Sequence, residues 1–282
     1  LGTPNAVIGY LYIFMTIGIY ALVGVLSRTQ EVAEYYVAGR RVPAFYNGMA
    51  IGADWMSAAS FISMAGGLYL QGYDGLAYVL GWTGGYVLVA ILLAPYLRKF
   101  GQFTVPDFLG TRFGGHVARF CGIIVLLAAS FTYVVAQVFG VGIITSRFLG
   151  IGFEVAIFVG LLGILVCSML GGMRAVTWTQ VAQYIILIIS YLVPVIWLST
   201  KKYGIPIPEL TYARALDEIA QLEQKLGIAK PHVAAYVDAK GQFSWVEFHN
   251  FWALVLCLMV GTASLPHILM RYFTTPNGRD AR

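Results

Sequence analysis

Seven apolar stretches, each 21 to 27 residues long, recur along this chain of 282 residues: Ala6–Leu26, Phe45–Leu70, Gly75–Leu97, Phe120–Ser146, Ile151–Met173, Ala175–Thr200 and Phe248–Met270. A helix needs about 20 apolar residues to cross a bilayer core about 30 Å thick. A backbone in hydrocarbon must satisfy its own hydrogen bonds, which leaves helices or closed barrels. These runs are continuous and do not alternate with polar residues, so they read as helices. Asp54 and Glu154 are the only carboxylates within them, and they hold no Lys or Arg. Only 11% of the chain is charged and its mean hydropathy is +0.76, against about 25% charged in soluble domains. The reading is an all-α, multi-pass membrane protein with seven transmembrane helices, whose first partner is the lipid bilayer.

The net charge of +5 is informative through its placement, and no nucleic-acid partner is expected. Eleven of the eighteen basic residues fall on one side of the alternating loops: Arg28, Arg40, Arg41, Arg98, Lys99, Arg112, Arg119, Arg174, Arg271, Arg279 and Arg282. The turn "QGYDG" on the opposite side has none. The positive-inside rule then places the N-terminus outside and the C-terminal end of the chain in the cytoplasm. Cys121, Cys167 and Cys257 are odd in number and widely spaced inside apolar runs, which suits core packing better than a disulfide framework or a zinc site. No nucleophile–base set or cofactor motif is legible, so neither an enzyme nor an organic cofactor is expected. The oligomeric state is left open.

Asp54 is the anomaly. A charge near mid-span costs about 2.5–3.5 kcal/mol on an insertion scale, so it should face protein or water. Asn47, Gly48, Gly52, Ala53, Ser57, Ala58, Ala59 and Ser60 surround it. Small residues permit close helix approach, and glycines permit local unwinding. Unwound backbone at membrane depth is tolerated where it is buried or lines a cavity. Freed carbonyls, hydroxyls and a carboxylate would suit a hard cation such as Na⁺. The alternative is that Asp54 simply hydrogen-bonds a neighbouring helix.

The seventh span, "LMVGTASLPHILMRYF", carries Gly261, Thr262, Ser264 and Pro266. Pro266 either kinks this helix or interrupts it. Two interrupted segments, one early and one late, point to a midplane site in carriers. Gln137, Thr177, Thr179, Gln180 and Gln183 read first as interhelical hydrogen-bonding groups. Gly171 and Gly172 suit a tight inner turn, with Arg174 at the membrane edge. His267 suits an inner helix end or a proton relay. In the polar segment 201–247, "LDEIAQLEQKLG" predicts an amphipathic helix with Gly227 as its C-cap, lying on the outer ends of the spans or acting as a lid.

The stretches "AEYYVAGRRVPAFYNGMAIGADWMSAASF", "LQGYDG", "GGMRAVTWTQ" and "GTASLPHILMRYFTTPNGRDAR" together resemble the sodium:solute symporter family, nearest its cation/acetate branch of monocarboxylate carriers. The likeness covers the chain except residues 205–245. It implies a LeuT-like inverted-repeat transporter fold, incomplete here: an extra N-terminal helix and inner loop (1–44), a first five-helix repeat (45–200), an external loop (201–247) and the first helix of a second repeat (248–282). The chain is thus expected to be the N-terminal part of one transporter domain. The likeness also implies a sodium half-site on Ala53 and Met56 with Ser57 adjacent, and a substrate or ion pathway past Asp54, Gln137, Thr262 and Pro266. Two departures stand out. Gln180 occupies a position where several relatives carry an acid, and Trp55 stands where proline carriers have their acid.

The function expected is secondary active transport by alternating access in the plasma (inner) membrane: Na⁺-coupled symport of a small solute, a monocarboxylate such as acetate. A proton-coupled carboxylate or amino-acid symporter of the same family is the alternative, with H⁺ as coupling ion. A membrane sensor built on a symporter-like module is a different class. A retinal protein is disfavoured because no span holds a lysine.

Overall fold

A computed structural model describes residues 3–57, 60, 63–228 and 231–282. Among them no strand forms, and one isolated bridge joins Val237 to Phe243. The helices are α1 (Thr3–Leu26), α2 (Val32–Val37), α3 (Ala44–Trp55), α4 (Met64–Gln71), α5 (Leu76–Leu88), α6 (Ala94–Phe100), α7 (Val105–Phe113), α8 (His116–Leu149), α9 (Phe153–Tyr203), α10 (Pro208–Leu226), α11 (Trp245–Ala263), α12 (Pro266–Met270) and α13 (Gly278–Ala281). Five helical runs are long and apolar enough to cross a membrane: Val7–Leu26, Met64–Phe100, His116–Leu149, Phe153–Tyr203 and Trp245–Ala263.

The seven expected spans map onto the helices with four differences. The third span shares the run Met64–Phe100 with α4. The second span is two helices, α3 and α4, not one. The seventh is α11 followed by α12. The fifth and sixth are two arms of α9, whose 51 residues would reach about 76 Å if straight, more than twice the hydrocarbon thickness. The run breaks at Gly172, which adopts φ 52° and ψ −145°. A Cβ there would sit 2.5 Å from the Tyr35 carbonyl oxygen, so conformation and space both demand glycine. This is where the sequence predicts the inner turn.

The chain divides into two compact units. The first holds Leu1–Ala59, Leu88–Gln183 and Ala263–Arg282; the second holds Ser60–Val87 and Tyr184–Thr262. In the first unit, α1 lies directly on the first arm of α9. A Cβ on Gly163 would come within 2.8 Å of the Ile17 carbonyl oxygen, the close approach that small residues give membrane helices. Connecting segments of this unit are tied by side chains reaching backbone: Arg98 Nε donates to the Thr275 carbonyl at 2.5 Å, and Arg40 donates to the Gly101 carbonyl. Arg174 pairs with Glu34 at 2.5 Å. Phe273, Ile268, Val37 and Val89 are fully buried at its centre.

In the second unit, Gly81, Gly84 and Gly85 turn the face of α5 toward α11. A Cβ on Gly81 would meet Leu258 Cβ at 2.5 Å, and one on Gly85 would meet Thr262 Cβ at 2.5 Å. Below this seam, Ala77, Phe251 and Val255 form a small core with Tyr73 and Tyr236 packed on it. The predicted amphipathic helix is present as α10, closed by Gly227 at φ 67°. Its buried residues are Thr211 and Glu223, whereas Leu222 and Leu226 of the expected packing stripe are exposed. Polar contacts hold it instead: Ser199 Oγ and Thr211 Oγ1 lie 2.8 Å apart, and Lys202 pairs with Glu218, holding the Glu218 carboxyl below its usual range. Elsewhere, long apolar side chains such as Phe120, Phe131, Phe158 and Leu162 are exposed, as expected for surfaces solvated by lipid.

Candidate cation and substrate site

The helix α3 stops at Trp55. The N–H of Met56 still donates to the Gly52 carbonyl at 3.2 Å, but Met56 has left helical geometry at φ −79° and ψ 50°. Ser60 and Ser63 have π-helical backbone, and the next α-helix runs from Met64. A helix end leaves its last carbonyls without intrahelical donors and carries partial negative charge. Ala53 lies in that last turn, with Met56 and Ser57 just beyond it. Ala58 and Ala59 lie outside the described residues; Ser60 is buried. The donor set of peptide oxygens and a hydroxyl is hard and suits a small monovalent cation.

Asp54 does not face lipid. Its carboxylate is engaged on both oxygens. Arg271 Nε donates to Oδ2 at 2.8 Å, and Arg271 Nη2 to Oδ1 at 3.3 Å. Gln180 Nε2 donates to Oδ1 at 2.7 Å. The remaining N–H donors of the guanidinium are used as well: Nη1 donates to Thr177 Oγ1 at 3.0 Å and Nη2 also to Gln180 Oε1. The Arg271 and Asp54 side chains are 4% and 9% exposed. A buried charge is tolerated when it is paired and its hydrogen bonds are met, and here both conditions hold. The departure at Gln180 therefore has a local use: an amide both donates to Asp54 and accepts from Arg271, which a carboxylate could not do.

The role of Arg271 corrects the sequence reading, which counted it among the flanking inner charges. It is buried and closes the network with Asp54. Charge counting could not have found it, because an arginine immediately after an apolar run looks like a membrane-edge anchor. The neighbouring contacts bind the same segments. Thr274 Oγ1 donates to Asn47 Oδ1 at 3.1 Å, the Val42 N–H donates to the Thr274 carbonyl at 3.2 Å, and Tyr46 packs on Trp178 with ring centroids 5.3 Å apart.

The second break is equally definite. α11 ends at Ala263, Leu265 is extended at φ −67° and ψ 123°, and Pro266 occupies the first turn of α12. Proline there gives up an N–H that would be unpaired in any case, so Pro266 starts a helix and does not bend one. The Leu265 carbonyl accepts the N–H groups of Ile268 and Leu269, both at 3.2 Å. The residue after Pro266, His267, stacks on Tyr133 of α8 at 4.0 Å between centroids. Gln137 follows Tyr133 by one helical turn and is half-buried.

The first unit thus collects Ala53, Asp54, Met56, Ser57, Gln137 and Pro266, with Asp54 and the end of α12 joined through Arg271, and α8 reaching α12 through Tyr133. Thr262 belongs to the second unit, where it is buried against Gly85. Among the described residues no cluster of three or more His, Cys, Asp or Glu could hold a metal ion.

Comparison with known proteins follows the same lines. The chain is 41% identical to an uncharacterized symporter of Cupriavidus necator over 98% of this chain and 54% of that protein. It is 29% identical to the uncharacterized symporter YwcA of Bacillus subtilis over 91% of this chain and 47% of that one. The chain spans about half the length of these curated relatives. Its fold matches the substrate-bound, outward-open structure of a Na⁺-coupled sialic acid symporter with a TM-score of 0.70, over 97% of this chain and 55% of that one, at 19% identity. That likeness carries the fold, the LeuT-like arrangement of helices. The sequence model of the sodium:solute symporter family matches residues 35–282, and the chain belongs to that family.

Proposed function

We propose that the whole protein is a Na⁺-coupled symporter of a small solute, a monocarboxylate such as acetate, working by alternating access. The observation that carries this reading is the end of α3 at Trp55, which offers peptide oxygens next to an acid already neutralised by Arg271. Sodium would be held by the Ala53 and Met56 carbonyls and the Ser57 hydroxyl. The solute would pass Asp54, Gln137, Thr262 and Pro266. Because the charge of Asp54 is answered by Arg271, a carboxylate substrate meets no net negative wall, and the bound Na⁺ supplies the attraction. Membership of the symporter family and the Na⁺-coupled structural neighbour support sodium as the coupling ion and transport, not catalysis, as the activity. The loop charges support an outside N-terminus and a cytoplasmic end to this chain.

Coupling requires Na⁺ to bind the two access states with different affinity; a tenfold difference corresponds to about 1.4 kcal/mol. Proton coupling is the second reading, favoured by His267, a titratable ring stacked on Tyr133 next to the same helix break. The test is uptake of radiolabelled acetate by the whole protein in proteoliposomes under a Na⁺ gradient, a proton gradient, both or neither. Accumulation driven by Na⁺ alone is expected. Accumulation driven by protons alone transfers the reading to the second form, and uptake indifferent to both gradients rejects symport.

A further inference from the structure

Away from the cation site, one histidine of the 201–247 segment sits in an arrangement that a neutral ring facing a carboxylate cannot complete. Glu223 of α10 has a side chain only 7% exposed. Its Oε1 accepts the backbone N–H of His232 at 2.9 Å and lies 2.6 Å from His232 Nδ1. Its Oε2 is buried with no hydrogen-bond partner among the described residues. Across the ring, His232 Nε2 lies 2.8 Å from the Tyr69 carbonyl oxygen. A carbonyl only accepts, so Nε2 must carry a proton. A carboxylate also only accepts, so Nδ1 must carry another. Neutral imidazole has a single N–H, and only the imidazolium donates from both nitrogens.

The placement reinforces the chemistry. Tyr69 lies in the last turn of α4, where carbonyls lack intrahelical donors and positive charge is favoured. The same loop residue is docked through its backbone: the Tyr73 N–H donates to the His232 carbonyl at 2.7 Å. Gly72, at φ 59°, leaves room for it, since a Cβ there would lie 2.6 Å from His232 Cα. An open cavity of about 320 Å³, lined by Leu70, Gln71, Asp74, Pro231 and His232, gives the ring access to water. The groups facing His232 are Glu223 from α10, the Tyr69 carbonyl from α4 and Asp74 from the 72–75 turn.

We infer that His232 is a proton-binding clamp: as the imidazolium it fastens the loop to the C-terminal end of α4, and on losing a proton it lets that end go. α4 comes after α3 in the chain, and the clamp sets how freely the C-terminal end of α4 moves. Its bearing on transport rests on the carrier reading above; the clamp itself does not. The fastened state requires the proton, so protection is present while the ring holds it and is lost when the proton leaves.

The experiment is hydrogen exchange of the whole protein in nanodiscs, corrected for intrinsic rates, on peptides covering residues 66–76 and 220–235. In the wild type, protection of the Tyr73 amide and its neighbours is expected to fall about tenfold from pH 5.5 to pH 8.5, the size of one hydrogen bond to a charged group. His232→Gln should be weakly protected and flat across the range. Gly72→Ala, which displaces the loop without touching a titrating group, should also be flat and low, while the rest of the helices exchange as in the wild type. A wild type with no pH step, or a His232→Gln variant that keeps the step, overturns the proposal. Because exchange needs no substrate, that outcome leaves the uptake assay standing, and a failed uptake assay leaves the clamp standing.

Discussion

Replacing Arg271 with Gln leaves Asp54 as a carboxylate whose side chain is 9% exposed, with the amide of Gln180 as its remaining partner in the network. Removing one member of a buried, hydrogen-bonded pair costs about 3–5 kcal/mol, most of it the penalty of the stranded charge. Asp54→Asn strands the guanidinium instead and should cost a similar amount. The double variant Asp54→Asn/Arg271→Gln strands nothing, and two amides can still hydrogen-bond each other and Gln180. Its cost should fall at least about 2 kcal/mol short of the sum of the single costs, within the range of coupling seen between groups in one network. Reversible unfolding of the whole protein in mixed micelles, followed by tryptophan fluorescence, measures all four corners of the cycle. Single variants within about 1 kcal/mol of the wild type, combining additively, would refute the reasoning, because that is how an exposed, independent pair behaves.

Three further outcomes follow from packing and backbone geometry, each read by the same unfolding assay. Gly85→Ala forces a Cβ to within 2.5 Å of Thr262 Cβ and 2.8 Å of the Met259 carbonyl oxygen, and should cost about 1–3 kcal/mol by overpacking. Gly172→Ala places a side chain at φ 52°, ψ −145° and against the Tyr35 carbonyl, so it should cost at least about 2 kcal/mol, backbone strain and overpacking together. By contrast Glu34→Gln, which removes the partner of an Arg174 side chain that is 47% exposed, should change stability by less than about 1 kcal/mol.

Composition and the apolar runs carried the fold class, because lipid admits few solutions for a backbone and these runs are the right length. The breaks at Trp55 and before Pro266 were also legible: an acid among glycines, alanines and serines, and a proline after small polar residues, mark positions where helix continuation is costly. Gly172 was readable for the same local reason. The partner of Asp54 was not. Arg271 is 217 residues away in sequence, and nothing local separates a buried arginine from a flanking one. The orientation of α10 was missed too, since its hydrophobic stripe predicted burial of Leu222 and Leu226, while contacts through Ser199, Thr211, Glu223 and His232 decide where it sits. Long-range polar pairing depends on the folded path of the chain and leaves no periodic trace.

The central claim is that the end of α3 is a cation site made of peptide oxygens, and the most direct measurement is Na⁺-dependent hydrogen exchange across residues 50–57 of the whole protein. A cation gripped by the Ala53 and Met56 carbonyls would hold this helix end in place. Added Na⁺ should therefore slow exchange there, with no such effect from choline at equal ionic strength, and the protection should weaken when Ser57 is replaced by Ala. Exchange at these amides that is identical in Na⁺ and choline would contradict the account.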